Sequence, residues 1–417
     1  MLIKTILNKV HKLKSFVYQD VVVGSYQGAE VLNVTVVPRK NSHAICSRCQ
    51  KPAPGYDHQP ERRFEFVPFW GIRVFLLYRM RRVQCKNCGV KVEQVPWADG
   101  KKELTKTYMQ FLAFWAKKLS WKEVACSFNT SWEKVFHSVE YVVEWGKAHR
   151  CLDDIKAIGV DEVAYRIGHK YLTVVYQIDR GCTRLLWVGQ ERTETTIRNF
   201  FTFFGTQRSQ RLEYVCSDMW QPYVKAIAEF ASQALHILDR FHIVAMLNKA
   251  IDQVRASEHK QLQADGYEPV LKKSRWCLLK RQENLTEKED IRLNTVLQYN
   301  LKSVRAYLLR EEFQAFWDYV SPHWAGKYLD RWCTRVMRSK LEPMKKVAKT
   351  VRRHKPLILN WFKAKKVYSS GIVEGLNTKI KLTTRKSYGF RTYRCAEIAL
   401  YHALGKLPEP EMTHRFY

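Results

Sequence analysis

One acidic residue, Glu374, stands alone in the most basic part of the sequence. Between Pro343 and Ala396 there are fifteen lysines and arginines and no other acidic side chain. A surface that only binds a polyanion would do better without this carboxylate, so we interpret Glu374 as a metal ligand beside bound phosphate. Such a site needs further carboxylates from elsewhere in the sequence.

Two aspartates, Asp161 in GVDE and Asp218 in CSDMWQPY, accompany runs of β-type residues. Either one alone would more often be a strand-end cap or a turn residue. Two carboxylates at one edge of a sheet repel each other unless a divalent cation binds between them, and hard oxygen ligands suit Mg²⁺ or Mn²⁺. The pair therefore indicates a metal-dependent site.

Four cysteines have the spacing of a zinc site. They form two C-x-x-C pairs, Cys46 with Cys49 and Cys85 with Cys88. Each pair can bring two thiolates to one tetrahedral Zn²⁺, and four sulfurs close the ligand shell, which predicts a structural ion. Incidental core cysteines or a redox pair are the alternatives. The seven other cysteines are isolated in the sequence and are predicted to be buried.

The segment between the two cysteine pairs, residues 50–84, is longer than is usual in zinc modules. It contains alternating β-type sequence on both sides of a turn at Trp70 and Gly71. This pattern predicts a zinc ribbon with a long hairpin.

A helical block follows over residues 104–150. Ser120 with Glu123 and Thr130 with Glu133 have capping-box spacing, which predicts two helices that start about ten residues apart. This spacing is typical of a helix-turn-helix, whose second helix could enter a DNA groove. That helix would expose Lys134, His137 and Ser138. A helical linker packed on its neighbours is the alternative.

From residue 155 the sequence period changes. The pattern predicts the order βββαβαβα, ending in a long helix from Phe241. In a mixed sheet of this order the first and fourth strands can lie side by side and parallel, which puts Asp161 and Asp218 near each other. Glu162 would point to the opposite face of its strand, so it is excluded from the metal ligands.

The formal net charge of +31 over 417 residues favours nucleic acid as the partner, although ribosomes and membrane surfaces would also fit. With 46% hydrophobic residues, the chain can bury several cores in about two to four domains. The N-terminus lacks the apolar region of a signal peptide and no membrane-length apolar run occurs. We therefore expect a cytoplasmic protein with no membrane partner.

Four motifs in this sequence match one known family. They are GVDE around Asp161, CSDMWQPY around Asp218, DRFH from Asp239 to His242, and SSGIVEGLNTKIKLTTRKSYGFR around Glu374. The chain resembles the DDE transposases of bacterial insertion sequences, specifically the ISL-three (ISL3) family. The resemblance also covers the zinc ribbon and the helical segment, and the last motif is its most specific part.

The resemblance implies a multidomain α+β protein with a zinc ribbon, a helix-turn-helix and an RNase H-like α/β catalytic domain that carries an inserted helical domain. Asp161, Asp218 and Glu374 would hold two Mg²⁺ or Mn²⁺ ions. Such a pair can activate an attacking oxygen and stabilise the leaving oxygen of a phosphodiester. Water would be the first nucleophile and the freed 3′-hydroxyl the second, without a covalent protein intermediate.

The expected domains follow from these assignments. They are the N-terminal β-rich zinc-ribbon domain (1–100), the helix-turn-helix (101–150), the first part of the catalytic core (151–257), the helical insertion (258–366) and the final part of the core (367–417). Five tryptophans of the insertion could stack on unpaired bases or pack in its core: Trp276, Trp317, Trp324, Trp332 and Trp361.

Glu374 is expected on a helix that begins after Ser369, Ser370 and Gly371. A residue three or seven positions later would share its face and could contact phosphate beside the metal ions. The basic residues around it would extend a track for the DNA backbone, although each alone could be a solvated charge. The residues of this predicted surface are Asn377, Lys379, Lys381, Arg385, Lys386, Arg391 and Arg394.

Asp239 and His242 are secondary active-site candidates. In the family pattern, a D-x-F-H element follows the fifth strand near the catalytic pocket. A neutral imidazole there could orient a carboxylate or contact a phosphate. A structural hydrogen-bonded pair is the alternative.

Three functions are compatible with the sequence. An active transposase would bind terminal inverted repeats, cut there and join the ends to target double-stranded DNA, and pairing of two ends calls for a homodimer or a larger assembly. A non-catalytic DNA-binding regulator derived from a transposase would use the RNase H-like domain only as a scaffold, but the intact acids count against it. A zinc-ribbon partner of RNA or ribosomes would leave the three acids without a purpose.

Overall fold

The computed structural model describes residues 2–166, 170–267, 270–368 and 371–411. The chain divides into two compact units, one of residues 1–151 with 380–417 and the other of residues 152–379. Each unit contains one five-stranded sheet. Within the described ranges, no helix is both long enough and apolar enough to cross a membrane.

The first unit begins with a helix and a mixed sheet. Its elements are α1 (Ile3–Val10), β1 (Phe16–Tyr26), β2 (Ala29–Pro38), β3 (Gly55–Phe69), β4 (Ile72–Cys85) and β5 (Gly89–Val92). The strand order is β1-β2-β4-β3, and β5 pairs with the far end of β4. Trp70 and Gly71, both at positive φ, connect β3 to β4 and confirm the predicted hairpin turn.

Aromatic side chains form the core of this sheet. Phe16, Phe64 and Tyr78 pack edge-on against Trp97, with ring centroids 4.9, 6.0 and 5.3 Å away, and all four are buried. Edge-to-face pairs of this kind stabilise beyond their buried area. The core therefore anchors β4, the strand that ends at Cys85.

Three helices follow in the same unit: α2 (Lys106–Lys118), α3 (Trp121–Ser127) and α4 (Trp132–His149). Ser120 and Glu123 form the predicted capping box at the start of α3, and Asn129, at φ 48°, lies in the turn before α4. The predicted cap of α4 was wrong by one residue. Ser131, not Thr130, caps this helix by accepting a hydrogen bond from the backbone of Lys134.

The second unit contains the other sheet and its crossing helices. Its first elements are β6 (Ala157–Arg166), β7 (Lys170–Asp179), β8 (Cys182–Gln190), α5 (Glu194–Phe204), α6 (Thr206–Gln210), β9 (Tyr214–Ser217), α7 (Gln221–Phe230), β10 (Leu235–Leu238) and α8 (Arg240–Ala264). The strand order is β10-β9-β6-β7-β8, with β6, β7 and β8 antiparallel and β9 and β10 parallel to β6. This arrangement confirms the RNase H-like α/β domain, with the short α6 as an addition.

Strand β6 is central to this sheet. It pairs in parallel with β9, and the register runs from Ala157 opposite Tyr214 to Gly159 opposite Cys216. Asp161 and Asp218 each stand two positions after this last pair, Asp161 still within β6 and Asp218 directly after the end of β9. Because β6 continues to Arg166, Glu162 alternates to the other face of the strand, as predicted.

A helical segment follows α8. It comprises α9 (Arg275–Leu279), α10 (Glu287–Leu297), α11 (Lys302–Gln314), α12 (Pro322–Arg338) and α13 (Glu342–Lys363). Helix α8 passes residue 258 without a break, and both α11 and α13 pack on it. Three of the five tryptophans are buried, Trp317, Trp332 and Trp361, whereas Trp276 and Trp324 are exposed.

The last two helices are α14 (Gly371–Lys386) and α15 (Tyr393–Leu404). Helix α14 contains Glu374 in its first turn, as predicted. Ser369 and Ser370, expected just before it, lie outside the described residues. The division between the two units falls after Lys379, within this helix.

Candidate active site and zinc centre

The four predicted zinc ligands lie together. The sulfur atoms of Cys46, Cys49, Cys85 and Cys88 are all within 4.8 Å of one another, and the sulfurs of Cys49 and Cys85 are 3.5 Å apart. The Cys88 backbone donates to the Cys85 carbonyl over 3.3 Å, which folds the second pair into a tight turn. Four thiols in this arrangement fit one tetrahedral Zn²⁺.

The protonation of the thiols depends on their neighbours. Backbone hydrogen bonds from Cys49 and Arg48 lower the pKa of the Cys46 thiol to about 7, which favours the thiolate that metals require. Desolvation and the adjacent sulfurs of Cys49 and Cys85 raise the pKa of Cys88 to about 12. Several thiolates this close repel one another in the absence of a cation.

Four of the isolated cysteines depart from the prediction that all seven are buried. Cys126 and Cys151 are exposed, and Cys182 and Cys395 are only partly buried. Cys126 directly follows Val124 and Ala125, the buried residues of the short helix α3.

Helix α4 contains the residues of the helix-turn-helix that are predicted to contact DNA. His137 is exposed, with Nδ1 3.3 Å from the Glu140 carboxylate, and Lys134 donates to Glu65 over 2.6 Å. Ser138 was wrongly expected to be exposed. It is buried, because it lies on the same face of α4 as the buried Val135, Val139 and Val142, and its hydroxyl donates to the Lys134 carbonyl one turn earlier. Lys134 and His137 stay predicted DNA contacts.

Asp161 is held from two sides on β6. Its Oδ1 accepts a hydrogen bond from the Glu162 backbone over 2.8 Å, and its Oδ2 accepts one from the Asn377 amide over 2.6 Å. Burial raises the pKa of Asp161, while these two hydrogen bonds and the charge of His242 oppose the rise. The carboxylate therefore has a fixed orientation.

Asp218 is buried just after β9 and is also held through both oxygens. Oδ1 accepts from the Trp220 backbone over 2.9 Å and Oδ2 from Arg192 over 3.1 Å. Arg192 pairs with Glu162 over 2.7 Å as well, and its guanidinium lies 4.6 Å from the Trp220 ring centre. Burial and the Asp218 charge raise the pKa of Glu162 to about 7, whereas Arg192 opposes this.

Helix α14 is fixed to the sheet on both sides of Glu374. A side-chain carbon at Gly159 would come within 2.5 Å of Val373, so only glycine permits this approach. The Tyr176 hydroxyl donates to the Asn377 side chain over 2.7 Å. Glu374 follows Val373 directly and is exposed. Its carboxylate is therefore on the solvent side of a helix docked at the strand that carries Asp161.

The three predicted catalytic carboxylates do not form a closed cluster. In the part of the chain that the structure describes, only the four cysteines bring three or more potential ligand atoms of this kind within 4.8 Å. The carboxylates of Asp161 on β6, Asp218 just after β9 and Glu374 in the first turn of α14 are hard oxygen donors. These donors fit Mg²⁺ or Mn²⁺, which take carboxylate oxygens together with water.

Asp239 and His242 lie at the start of α8. Asp239 caps this helix by accepting from the Phe241 backbone over 2.7 Å, and the Asp239 carboxylate is 3.7 Å from Nε2 of His242. The charges of Asp239 and His242 respectively raise and lower the pKa of Asp161, so both groups lie within electrostatic reach of it. A helix cap is thus one function of Asp239, and a role in the pocket stays a prediction.

The basic residues of the predicted track differ in their surroundings. Four are exposed: Lys379, Lys381, Arg385 and Arg391. Lys386 is partly buried and donates to the Lys117 carbonyl over 3.1 Å, and burial lowers its pKa. Arg394 forms ion pairs with three acids, Glu140, Glu144 and Glu397. Its charge is therefore balanced within the first unit.

A family model of ISL3 transposases, described as a transposase, matches residues 158–399, a range that contains Asp161, Asp218 and Glu374. The chain belongs to the ISL3 family of transposases. A second model, the zinc finger of the transposases of IS204, IS1001, IS1096 and IS1165, matches residues 42–88. That range contains all four clustered cysteines, which supports a structural zinc ion in this ISL3 family member.

Two named relatives are similar over most of their length. One is the transposase of insertion sequence element IS1001 of Bordetella parapertussis, 29% identical over 357 residues, which cover 83% of this chain and 85% of the relative. The other is the transposase of IS1557 of Mycobacterium tuberculosis strain H37Rv, 29% identical over 391 residues, which cover 88% of this chain and 86% of the relative. The resemblance stated from the motifs is thus confirmed.

Three residues of the candidate site were not predicted from the sequence. Gly159 permits the close approach of α14, Tyr176 holds Asn377, and Arg192 joins Asp218 to Glu162. Gly159 stands two positions before Asp161, as the first residue of the GVDE motif, so the sequence contained a signal that this glycine belongs to the site. The other two lie in ordinary strand and loop sequence and offered none.

Proposed function

We propose that this ISL3 family member is an active DDE transposase of a bacterial insertion sequence. It binds the terminal inverted repeats, cleaves DNA at the element ends and joins the 3′-hydroxyl ends to target DNA. The observation that carries the proposal is the parallel pairing of β6 with β9, whose last pair, Gly159 with Cys216, stands two positions before Asp161 and Asp218 on the two neighbouring segments. The names of the IS1001 and IS1557 relatives support it.

Asp161, Asp218 and Glu374 are the residues that would hold two Mg²⁺ or Mn²⁺ ions. When bound, such ions activate the attacking oxygen of a phosphodiester reaction and stabilise the leaving oxygen. Asn377 and the Glu162 backbone orient the Asp161 carboxylate. The Trp220 backbone and Arg192 orient Asp218 in the same way. Carboxylates with fixed orientations lose less conformational freedom when they bind a metal ion. Their hydrogen-bond partners therefore act as positioning groups.

Water is the first nucleophile in this proposal and the freed 3′-hydroxyl of the element end is the second. The second step is a direct transesterification, so the chain supplies no serine or tyrosine nucleophile. Two element ends must be joined in one event, which calls for a homodimer or a larger assembly on DNA. A sedimentation measurement with and without end-containing duplex tests this last point.

Replacing Asn377 with leucine is expected to slow cleavage about 10- to 100-fold, as is usual for residues that orient metal ligands. The change removes the donor to Asp161 and the acceptor for Tyr176. The Mg²⁺ concentration for half-maximal cleavage should rise as well. Asn294→Leu, at an exposed asparagine whose amide donates to Asp290, is the matched control. An unchanged Mg²⁺ requirement in Asn377→Leu would show that the amide does not act through Asp161.

Replacing Lys381 or Arg385 with alanine is expected to weaken DNA binding in a salt-dependent way. Each contact with a phosphate contributes about 0.9 to the slope of log affinity against log salt concentration. Both side chains are exposed on α14. Binding of end-containing duplex over a salt series measures the slope. Lys156→Ala is the control, because that lysine pairs with Glu213 over 2.9 Å. A slope equal to the native one would mean that these residues do not contact phosphate.

A non-catalytic DNA-binding regulator is the second candidate function. One observation favours it, since the carboxylates of Asp161, Asp218 and Glu374 are not gathered within 4.8 Å among the described residues. The presence of all three acids within the range that matches the transposase family model favours the enzyme. Metal-dependent cleavage of a labelled duplex that carries the element end separates the two, because a regulator would bind that duplex and leave it intact.

A further inference from the structure

Tyr388 projects from the molecule more than any other large hydrophobic residue described, with 98% of its surface exposed. It follows α14 at φ 51°, a left-handed conformation that tyrosine seldom adopts, and Gly389 comes next at φ 91°. Backbone hydrogen bonds from Tyr388 to the Arg385 carbonyl and from Gly389 to the Thr384 carbonyl, 3.0 and 2.9 Å long, fix this turn. The backbone is therefore held in place while the ring points into solvent. The ring adds no buried surface to the hydrophobic core.

The ring borders a groove of about 750 Å³ in the first unit. The walls come from the starts of α3 and α4 and from residues 387–391. Three further aromatic side chains contribute to them: Trp121, Trp132 and Phe390. Trp132 is 44% exposed although it stands at the first position of α4. The volume is in the range of pockets that enclose small organic groups.

The charges around the groove are mainly positive. Lys122 and Arg391 line it, and Arg385 and Lys386 precede Tyr388 in the chain. One acid, Glu123, also lines it, but its carboxylate accepts a hydrogen bond from the Ser120 backbone over 2.7 Å in the capping box. An apolar, aromatic groove with a cationic rim is complementary to a base that carries its phosphate.

We propose that this groove binds one unpaired DNA base, stacked on Tyr388 and Trp132, with its phosphate beside Lys122 and Arg391. The inference rests on the proposed DNA-processing function and adds to it a binding site apart from the three acids. Stacking on an aromatic ring tolerates any base, because every base has a π-face. The site therefore takes a frayed or unstacked nucleotide without reading its sequence.

The test uses the full-length chain and two probes of one sequence. One is a fully paired duplex, and the other has a short single-stranded 3′ overhang with 2-aminopurine in it. The native chain is expected to bind the overhang probe about tenfold more tightly and to quench its fluorescence, as base stacking on an aromatic residue does. Tyr388→Ala and Trp132→Ala should lose this preference, and Tyr388→Trp should keep it.

Tyr267→Ala is the matched control, because Tyr267 is 66% exposed and belongs to the second unit. Zinc content and melting temperature verify that each variant is folded. Equal binding of both probes by the native chain would overturn the inference and leave the proposed function standing. If Tyr388→Ala weakened the binding of both probes equally, the inference would also be overturned, because Tyr388 would then contact the duplex. Binding of neither probe by folded native protein would overturn both proposals.

Discussion

Cys46→Ser and Cys85→Ser are each expected to reduce bound zinc from one ion per chain to none and to unfold the N-terminal ribbon. The sulfur atoms of the two pairs meet within 4.8 Å. Around them the hydrophobic cluster includes few other residues, namely Ala44 and Val83 with the partly buried Ala53. So small a core cannot hold the pairs together alone, and the metal supplies much of the folding free energy of such a site.

Zinc content per chain and the thermal melting curve measure this effect. The native chain should bind one zinc ion, and each variant should lose the ion and the melting transition of the ribbon. Cys126→Ser is the matched control, because this exposed cysteine lies in the same unit but outside the cluster. One zinc ion per chain and an unaltered melting curve in both variants would contradict the assignment of the four cysteines to a zinc ribbon.

Asp161→Asn, Asp218→Asn and Glu374→Gln are each expected to lower the rate of strand cleavage at least about a thousandfold, since metal-ion stabilisation of the transition state is worth several kcal/mol. Binding of duplex DNA should change little, because the predicted phosphate contacts lie outside these three residues. Rates come from single-turnover cleavage of a labelled duplex, and affinities from binding of the same duplex without metal.

Two further substitutions make this prediction specific. Glu229→Gln should cleave at the native rate, because Glu229 pairs with Arg198 at the surface of the same unit. Glu162→Gln should have an intermediate effect, because Glu162 faces away from Asp161 but interacts electrostatically with Asp218 and shares Arg192 with it. If Glu162→Gln abolished cleavage while Asp161→Asn did not, the assignment of ligands to the faces of β6 would be reversed.

The sequence predicted the element order of the second unit well. The change from helical to alternating periodicity marked β6, and the five strands and three main helices follow as expected. The parallel pairing of β6 with β9 also agrees, because right-handed crossovers leave few ways to arrange this order. Periodicity therefore carries most of the information about this sheet and about the place of Asp161 and Asp218.

The capping residue of α4 was harder to predict from the sequence. Thr130 and Ser131 are adjacent, and both residue types cap helices, but the capping-box pattern favoured Thr130 because Glu133 stands three positions later. In the structure the Ser131 hydroxyl accepts from Lys134. The choice depends on how the turn at Asn129 enters the helix, which the pattern does not contain.

The long-range contacts could not have been derived from local patterns. Asn377 was predicted as a DNA contact, yet it is largely buried between Tyr176 and Asp161, which is 216 positions away. Arg192 similarly joins Glu162 of β6 to Asp218, which follows β9. Such contacts depend on the packing of α14 and of the loop after β8. The sequence pattern of one helix or strand does not show which residues of a distant element it contacts.

Cleavage of a labelled duplex that carries the element's own end is the most direct test of the account. With Mg²⁺ or Mn²⁺ the native chain should cut at the element boundary and leave a 3′-hydroxyl on the element strand, and chelation of the metal should stop the reaction. Specific binding of the end without cleavage, in fully assembled complexes with metal present, would contradict the account and identify the chain as a DNA-binding regulator.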